Sequence, residues 1–156
     1  MTSNILCLET SAAKCSVALV SGDNNLVYKE SAGEYSHVAQ ITLLIKDCLE
    51  EGQITFGELD AVAISGGPGS YTGLRVGTST AKGICFAHDI PLIPLDTLLV
   101  IGDKMITEAA DLSNTLFISV VDARRDEVYM AGFDSCLLYT SPSPRDATLS
   151  RMPSSA

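Results

Sequence analysis

The chain has 156 residues, 46% of them apolar, which is enough for one ordinary domain and part of another. Its 10 Lys and Arg stand against 19 Asp and Glu, a formal charge of −9, which argues against a free-standing nucleic-acid binder because phosphate contacts need clustered cations. No basic start precedes a long apolar run, and no apolar run approaches the ~20 residues of a membrane helix, so a cytoplasmic protein without a membrane partner is expected.

In chain order, "NILCLETS" is a short, nearly continuous apolar run of the kind found in a buried strand. "CSVALVS" and "NNLVYKES" follow, the second after the turn signal Gly22-Asp23-Asn24-Asn25, and the three together read as an antiparallel meander. "SHVAQITLLIKDCLEEG" reads as a helix, with Ser36 as its N-cap and Gly52 closing it. Val38, Ile41, Leu44, Ile45, Cys48 and Leu49 fall at helical spacing, and Ala39 and Leu43 widen that face, so it is either deeply buried or meets a partner. "LDAVAIS" is a strand, "TGLRVGTSTAKGICFAHD" a second helix, and "IPLIPL" a short strand with prolines at its ends or at an edge. "DTLLVIGDKMITEAA" is a third helix capped by Asp96, and "TLFISVVD" with "DEVYMAGFD" forms a closing hairpin. The order predicts an α/β protein with a mixed sheet. The first and last hairpins both run apolar strand, acidic residue, polar turn, strand, which suggests a duplicated lobe. The expected division is a first lobe over 1–106, the start of a second over 107–135, and a tail over 136–156.

That tail, "CLLYTSPSPRDATLSRMPSSA", shifts abruptly to Ser, Pro and Arg. Codons can be written for it that resemble the transposon adaptor and flow-cell primer of short-read sequencing. The expectation is that the native frame is interrupted near Ser135 and that the second lobe is truncated. Cys136, Arg145 and Arg151 therefore receive no functional weight. The other cysteines, Cys7, Cys15, Cys48 and Cys85, form no CxxC pair and read as small buried hydrophobes in a reducing compartment.

The stretch "SGGPGSYTGLRVGTSTAKG", residues 65–83, holds six glycines between a strand and a helix. It fails the P-loop test, since no Lys follows the second glycine and the first is Lys82. It fails the dinucleotide test too, since Gly67, Gly69 and Gly73 are spaced one residue too far. A helix N-terminus after glycines still leaves an anion site open, with Gly67 and Gly69 as candidates. The competing reading is packing. Gly73, Gly77 and Ala81 lie four apart and make a stripe with almost no side chain, facing either the protein's own sheet or a second polypeptide. Each mid-helix glycine costs about 1 kcal/mol relative to alanine, so two of them need a reason.

Taken together, "ILCLETSAAKCSVALV", "SGGPGSYTGLRVGTSTAKG" and "VVDARRDEVYMAGF" resemble the bacterial TsaB (YeaZ) family, over about residues 4–134. The resemblance implies an actin-like ATPase fold (ASKHA, RNase H-like) of two similar lobes. It implies a part in forming threonylcarbamoyladenosine at position 37 of tRNAs that read codons beginning with A. In that system the family member is a non-catalytic paralogue of the transferase TsaD, pairs with it, and works beside an ATPase subunit, TsaE. The implied cofactors are none intrinsic, with ATP and magnesium at most in the assembled complex. The implied contact with tRNA is indirect, and a homodimer is left open.

The residues agree with the non-catalytic part. A metal-dependent transferase needs paired histidines, and here His37 is followed by Ile41, with His88 far along the chain. A peptidase of the M22 glycoprotease type needs a nucleophile with a base, and Ser70 has no histidine near it in sequence. Glu9 ends the first strand where an actin-like site usually carries Asp; it reads either as a hydrogen-bonding carboxylate or as a magnesium ligand, and Asp122 poses the same choice. Arg75 and Lys82 read either as solvated helix charges or as contacts to an acidic group. Two functions follow. One is a scaffold docking TsaD, or itself, through Val38, Ile41, Leu44, Ile45, Gly73, Arg75, Gly77 and Ala81. The alternative is a nucleotide-binding actin-like ATPase using Glu9, Gly67 and Gly69, or an M22-like peptidase.

Overall fold

The computed structural model describes residues 3–22, 24–32, 37–137 and 150–151, of which 24–26, 37–39 and 150–151 are described by backbone alone. The expected cap Ser36 and most of the 136–156 tail lie outside the described residues. The chain divides into two compact units, Met1–Leu95 and Asp96–Ala156.

The first unit is built on a five-stranded sheet of order β3-β2-β1-β4-β5. Its strands are β1 (Asn4–Glu9), β2 (Ser16–Ser21), β3 (Asn24–Glu30), β4 (Ala61–Gly67) and β5 (Leu92–Asp96). β1 pairs antiparallel with β2 and parallel with β4, so the sheet is mixed. The register brings Leu6 opposite both Leu19 and Val62, and Leu8 opposite both Val17 and Ile64. Side chains alternate across a strand, so these six share one face. Helices α1 (His37–Gly52) and α2 (Tyr71–His88) supply Ile41, Ile45, Cys48, Leu49, Ala81 and Cys85 to the same core. Burying each of the larger aliphatic side chains contributes roughly 1.5–3 kcal/mol.

Cys15, Cys48 and Cys85 lie in this core. The Cys48 thiol sits against the carbonyls of Val17 and Val27, and burial pushes the thiols of Cys7, Cys48 and Cys85 above the ordinary value. A thiol held protonated is a poor nucleophile.

α2 approaches the end of β1 more closely than any other helix side chain would permit. A Cβ at Gly73 would overlap the backbone carbonyl of Thr10. One at Gly77 would overlap the Thr10 hydroxyl and meet Thr10 Cγ2 at 3.0 Å and Ile64 Cδ1 at 3.1 Å. The small-residue stripe is therefore spent inside the unit. Gly73, Gly77 and Ala81, with Ile41 and Ile45 from α1, are buried in the first unit rather than displayed to a partner. This corrects the docking surface drawn from spacing, because spacing shows that a face is smooth but not what lies against it. A bulky residue at Gly77 would therefore disrupt the unit itself. Leu44 is half-buried against the core, Arg75 is exposed, and the side chain of Val38 lies outside the described residues.

The second unit pairs β6 (Phe117–Arg124) with β7 (Glu127–Phe133) as a hairpin, and Ser150–Arg151 adds a short third strand, β8, to β7. Helix α3 (Thr97–Glu108) packs on the hairpin through Leu98, Met105 and Ile106 against Phe117, Ala131 and Phe133. Gly102 lets the Phe133 ring come within 2.6 Å of where a Cβ would stand. The Asp96 carboxylate accepts from Leu98 N at 2.8 Å and Leu99 N at 3.1 Å, capping the helix as its sequence predicts. The compact units thus divide at Leu95–Asp96 rather than at 106, because α3 buries its apolar residues with the hairpin.

Two alanine substitutions on one helix should separate packing from propensity. Gly83 has open space around it, so Gly83→Ala should stabilise the protein by about 0.5–1 kcal/mol. Gly73→Ala gains the same propensity but drives a methyl into an immovable backbone carbonyl, and should cost a net 1–3 kcal/mol or about that. Urea unfolding of both variants checks the pair; equal midpoints would overturn the packing account.

Candidate functional site: the glycine turn and the groove between two helices

Two places on the first unit hold chemistry-bearing residues. The first is the turn joining β4 to α2. Glu9, at the end of β1, reaches across to it: its two carboxylate oxygens accept from the Ser65 hydroxyl and from Ser11 N, the latter at 2.5 Å. Ser70 N donates to Ser11 O at 2.7 Å, and a Cβ on Gly69 would lie 2.6 Å from both Ser11 Cβ and Ser11 O. Gly67 has φ of +109°, a left-handed conformation that side chains rarely adopt, and precedes a cis bond to Pro68. Ser70 caps α2, its hydroxyl accepting from Gly73 N at 3.3 Å. Glu9, Ser11, Ser65 and Ser70 are thus engaged with one another and with the first turn of α2. They fasten the β1–β2 turn to the start of α2, and the glycines permit that contact of backbone on backbone.

Among the described side chains no histidine stands beside Ser70. Ser70 stands at the N-terminus of α2 and His88 at its last turn, about 26 Å apart along an 18-residue helix. His88 is stacked on Phe56 instead, with ring centroids 5.6 Å apart and planes 12° from parallel. His37 begins α1, and its side chain lies outside the described residues. Among the described residues no group of three or more His, Cys, Asp or Glu side chains is placed to hold a metal ion. Asp122 accepts from Arg124 N at 2.7 Å, shaping the β6–β7 turn.

The second place is an open groove of about 460 Å³ between α1 and α2. Ile41 and Thr42 form one wall, and Tyr71, Thr72, Arg75, Val76, Ser79 and Thr80 the other. Tyr71 is 73% exposed, and the Arg75 guanidinium lies over its ring, 5.4 Å from the centroid. Farther along the same outer face stand Lys82 and Phe86, the latter 93% exposed. Leu43 is exposed on α1. Bare aromatic rings beside cations are the residues that anchor protein interfaces. Sequence reasoning selected Arg75 but missed Tyr71 and Phe86. Their positions, with Arg75 and Lys82, recur at four, seven and four residues along α2, a helical spacing that was available in the sequence.

Residues 27–138 match the family model described as TsaD, tRNA N6-adenosine threonylcarbamoyltransferase. The tRNA threonylcarbamoyladenosine biosynthesis protein TsaB of Haemophilus influenzae is 34% identical over 127 residues, covering 81% of this chain and 52% of that one. The chain belongs to the TsaB/YeaZ family. A tRNA N6-adenosine threonylcarbamoyltransferase of Ligilactobacillus salivarius is 38% identical over 109 residues, covering 59% of this chain and 32% of that one. Two solved structures of YeaZ-type proteins from Pseudomonas aeruginosa superpose with TM-scores of 0.77 and 0.75 at 27% identity, each covering 85% of this chain and 59% of the other. The mixed sheet is thus the actin-like, RNase H-like arrangement of that family. The chain spans about half the length of the curated TsaB relative.

If Glu9 is a fastening and not a ligand, Glu9→Ala should strand the buried Ser65 hydroxyl and the Ser11 amide. A loss of about 1–3 kcal/mol is expected, with Glu9→Gln losing less. Chemical denaturation reads the loss; an unchanged midpoint for Glu9→Ala would refute the structural role.

Proposed function

We propose that this chain is the non-catalytic scaffold subunit for threonylcarbamoyladenosine formation at position 37 of tRNAs reading codons that begin with A. It would act in the cytoplasm by docking a TsaD-like transferase. The observation that carries the reading is a division of labour across the first unit. Glu9, Ser11, Ser65 and Ser70 at the glycine turn are bonded to one another, while the groove between α1 and α2 presents an unburied ring, Tyr71, and a cation, Arg75. Family membership supports the pathway. A TsaE-like ATPase would join the assembled complex, ATP and magnesium would act there, and tRNA would be met through the partner. No helix among the described residues is long and apolar enough to cross a membrane. The nucleotide-binding alternative would have to break the bonds from Ser65 and Ser11 to Glu9 before that carboxylate could organise a metal and phosphate.

Ser79 lines the groove and is exposed, so a bulky side chain there obstructs the surface without entering the core. Co-purification with the TsaD-like transferase of the same source is expected for the unaltered chain. It should be lost for Ser79→Trp, with the circular dichroism spectrum unchanged. Retention of the complex by that variant would remove the groove as the docking site.

A further inference from the structure

The sheets of the two units treat their edges differently. In the first unit the outer strand β3 carries Lys29 and Glu30, which pair with Glu51 and Lys14, and the other outer strand, β5, carries Pro94, which has no N–H to offer. Charge and proline are the usual guards against a second chain adding to an open edge. β6 has neither from Phe117 to Val121, and among the described residues it pairs only with β7. β6 is the first strand of its sheet, as β1 is of the other, yet β1 is paired on both sides, with β2 and with β4. The outward face of β6 is apolar as well: Ile118 and Val120 are exposed, and so is Met130, which faces Val120 from β7. On the other face Ser119 is fully buried, and its hydroxyl has no hydrogen-bond partner among the described residues. A buried hydroxyl left unpaired is uncommon and calls for a reason.

We infer that the free side of β6 takes β6 of a second copy of this chain, antiparallel, about a two-fold axis through Ser119. Antiparallel pairing of a strand with itself is closed by its two-fold axis, so it stops at a dimer. Facing residues must also lie on the same side of the sheet, which confines the axis to a residue position. Centred on Ser119, every facing pair in the uncharged stretch is apolar or hydroxyl: Phe117 meets Val121, Ile118 meets Val120, and Ser119 of one copy meets Ser119 of the other. Facing side chains of an antiparallel pair stand about 4.5–5.5 Å apart at Cβ, within reach of a hydrogen bond between hydroxyls. The second copy thus supplies what the Ser119 hydroxyl lacks. Centred one residue later, on Val120, the pairing sets Asp122 against Ile118 and Ser119 against Val121, and the hydroxyl stays unpaired. This edge belongs to the second unit and does not depend on the docking reading.

The test uses the full chain carrying Ser79→Trp, which closes the groove between α1 and α2 to a second copy. In sedimentation equilibrium this variant should still form a dimer. Adding Val120→Lys, at an exposed position, should leave a monomer with an unchanged circular dichroism spectrum, because the ammonium is set against Ile118 of the other copy. Register is read separately. With Cys136→Ser in place, Ser119→Cys should oxidise to a disulfide-linked dimer, since the two Cα atoms face each other across the axis. Arg124→Cys, at the far end of the strand, should not. Should Val120→Lys unfold the chain, the cross-link decides alone. A dimer that survives a folded Val120→Lys, or a failure of Ser119→Cys to cross-link more readily than Arg124→Cys, would overturn the proposal. A monomer at every concentration would leave the edge to a strand of the same polypeptide, and growth past the dimer would identify open-ended aggregation; either result overturns it too.

Discussion

The contact of α2 with the end of β1 is the constraint on which the rest of the first unit depends. It allows no Cβ at positions 73 and 77, and it lays the helix directly over Thr10. Two mid-helix glycines weaken an isolated helix by about 2 kcal/mol together, so this helix owes its place to what it touches. The direction of α2 then follows. Its glycine side faces β1 and β4, and the opposite side, with Tyr71, Arg75, Lys82 and Phe86, must face away. The glycine turn and the groove are two results of one packing decision.

That decision also settles what each polar group is available to do. Glu9, Ser11, Ser65 and Ser70 are drawn into a short chain of hydrogen bonds that joins β1, β4 and α2 at the end where nucleotide folds place their phosphate loops. Bonding of this kind makes a rigid corner. The Thr10 hydroxyl, buried against Gly77 with no hydrogen-bond partner among the described residues, marks how far close approach has been favoured over polar satisfaction. The chemistry left for other molecules is on the outer face of the helices.

Much of this was legible in the sequence. Alternation and apolar runs located the strands, and helical spacing with Gly and Asp punctuation located the three helices. The glycine stripe was visible but ambiguous, since a one-dimensional pattern states which residues share a face and is silent about the neighbour. The unit boundary was misplaced because α3 follows β5 without a break in composition, and its partner, the hairpin, lies later in the chain. The exposed rings of α2 were hidden for a related reason: an apolar residue on a helix is read first as core, and only packing shows that Tyr71 and Phe86 were left out. The bonds of Glu9 to Ser65 and Ser11 join residues far apart in sequence and near neighbours alike, and no spacing rule anticipates the first.

β1 lies between a neighbour that arrives early and one that arrives late. Cys7 pairs with Ala18 across a short hairpin, but with Ala63 only after the whole of β3 and α1 has intervened. Closing the longer loop costs about 1.5 kcal/mol more chain entropy than closing the shorter one. A chain emerging from a ribosome can therefore form its meander first, yet the buried face of that meander is fully covered only when α1, β4 and α2 have followed. During that interval Leu6, Leu8, Val17 and Leu19 are open to solvent, and the time needed to synthesise some sixty further residues becomes a period of vulnerability to other unfolded chains.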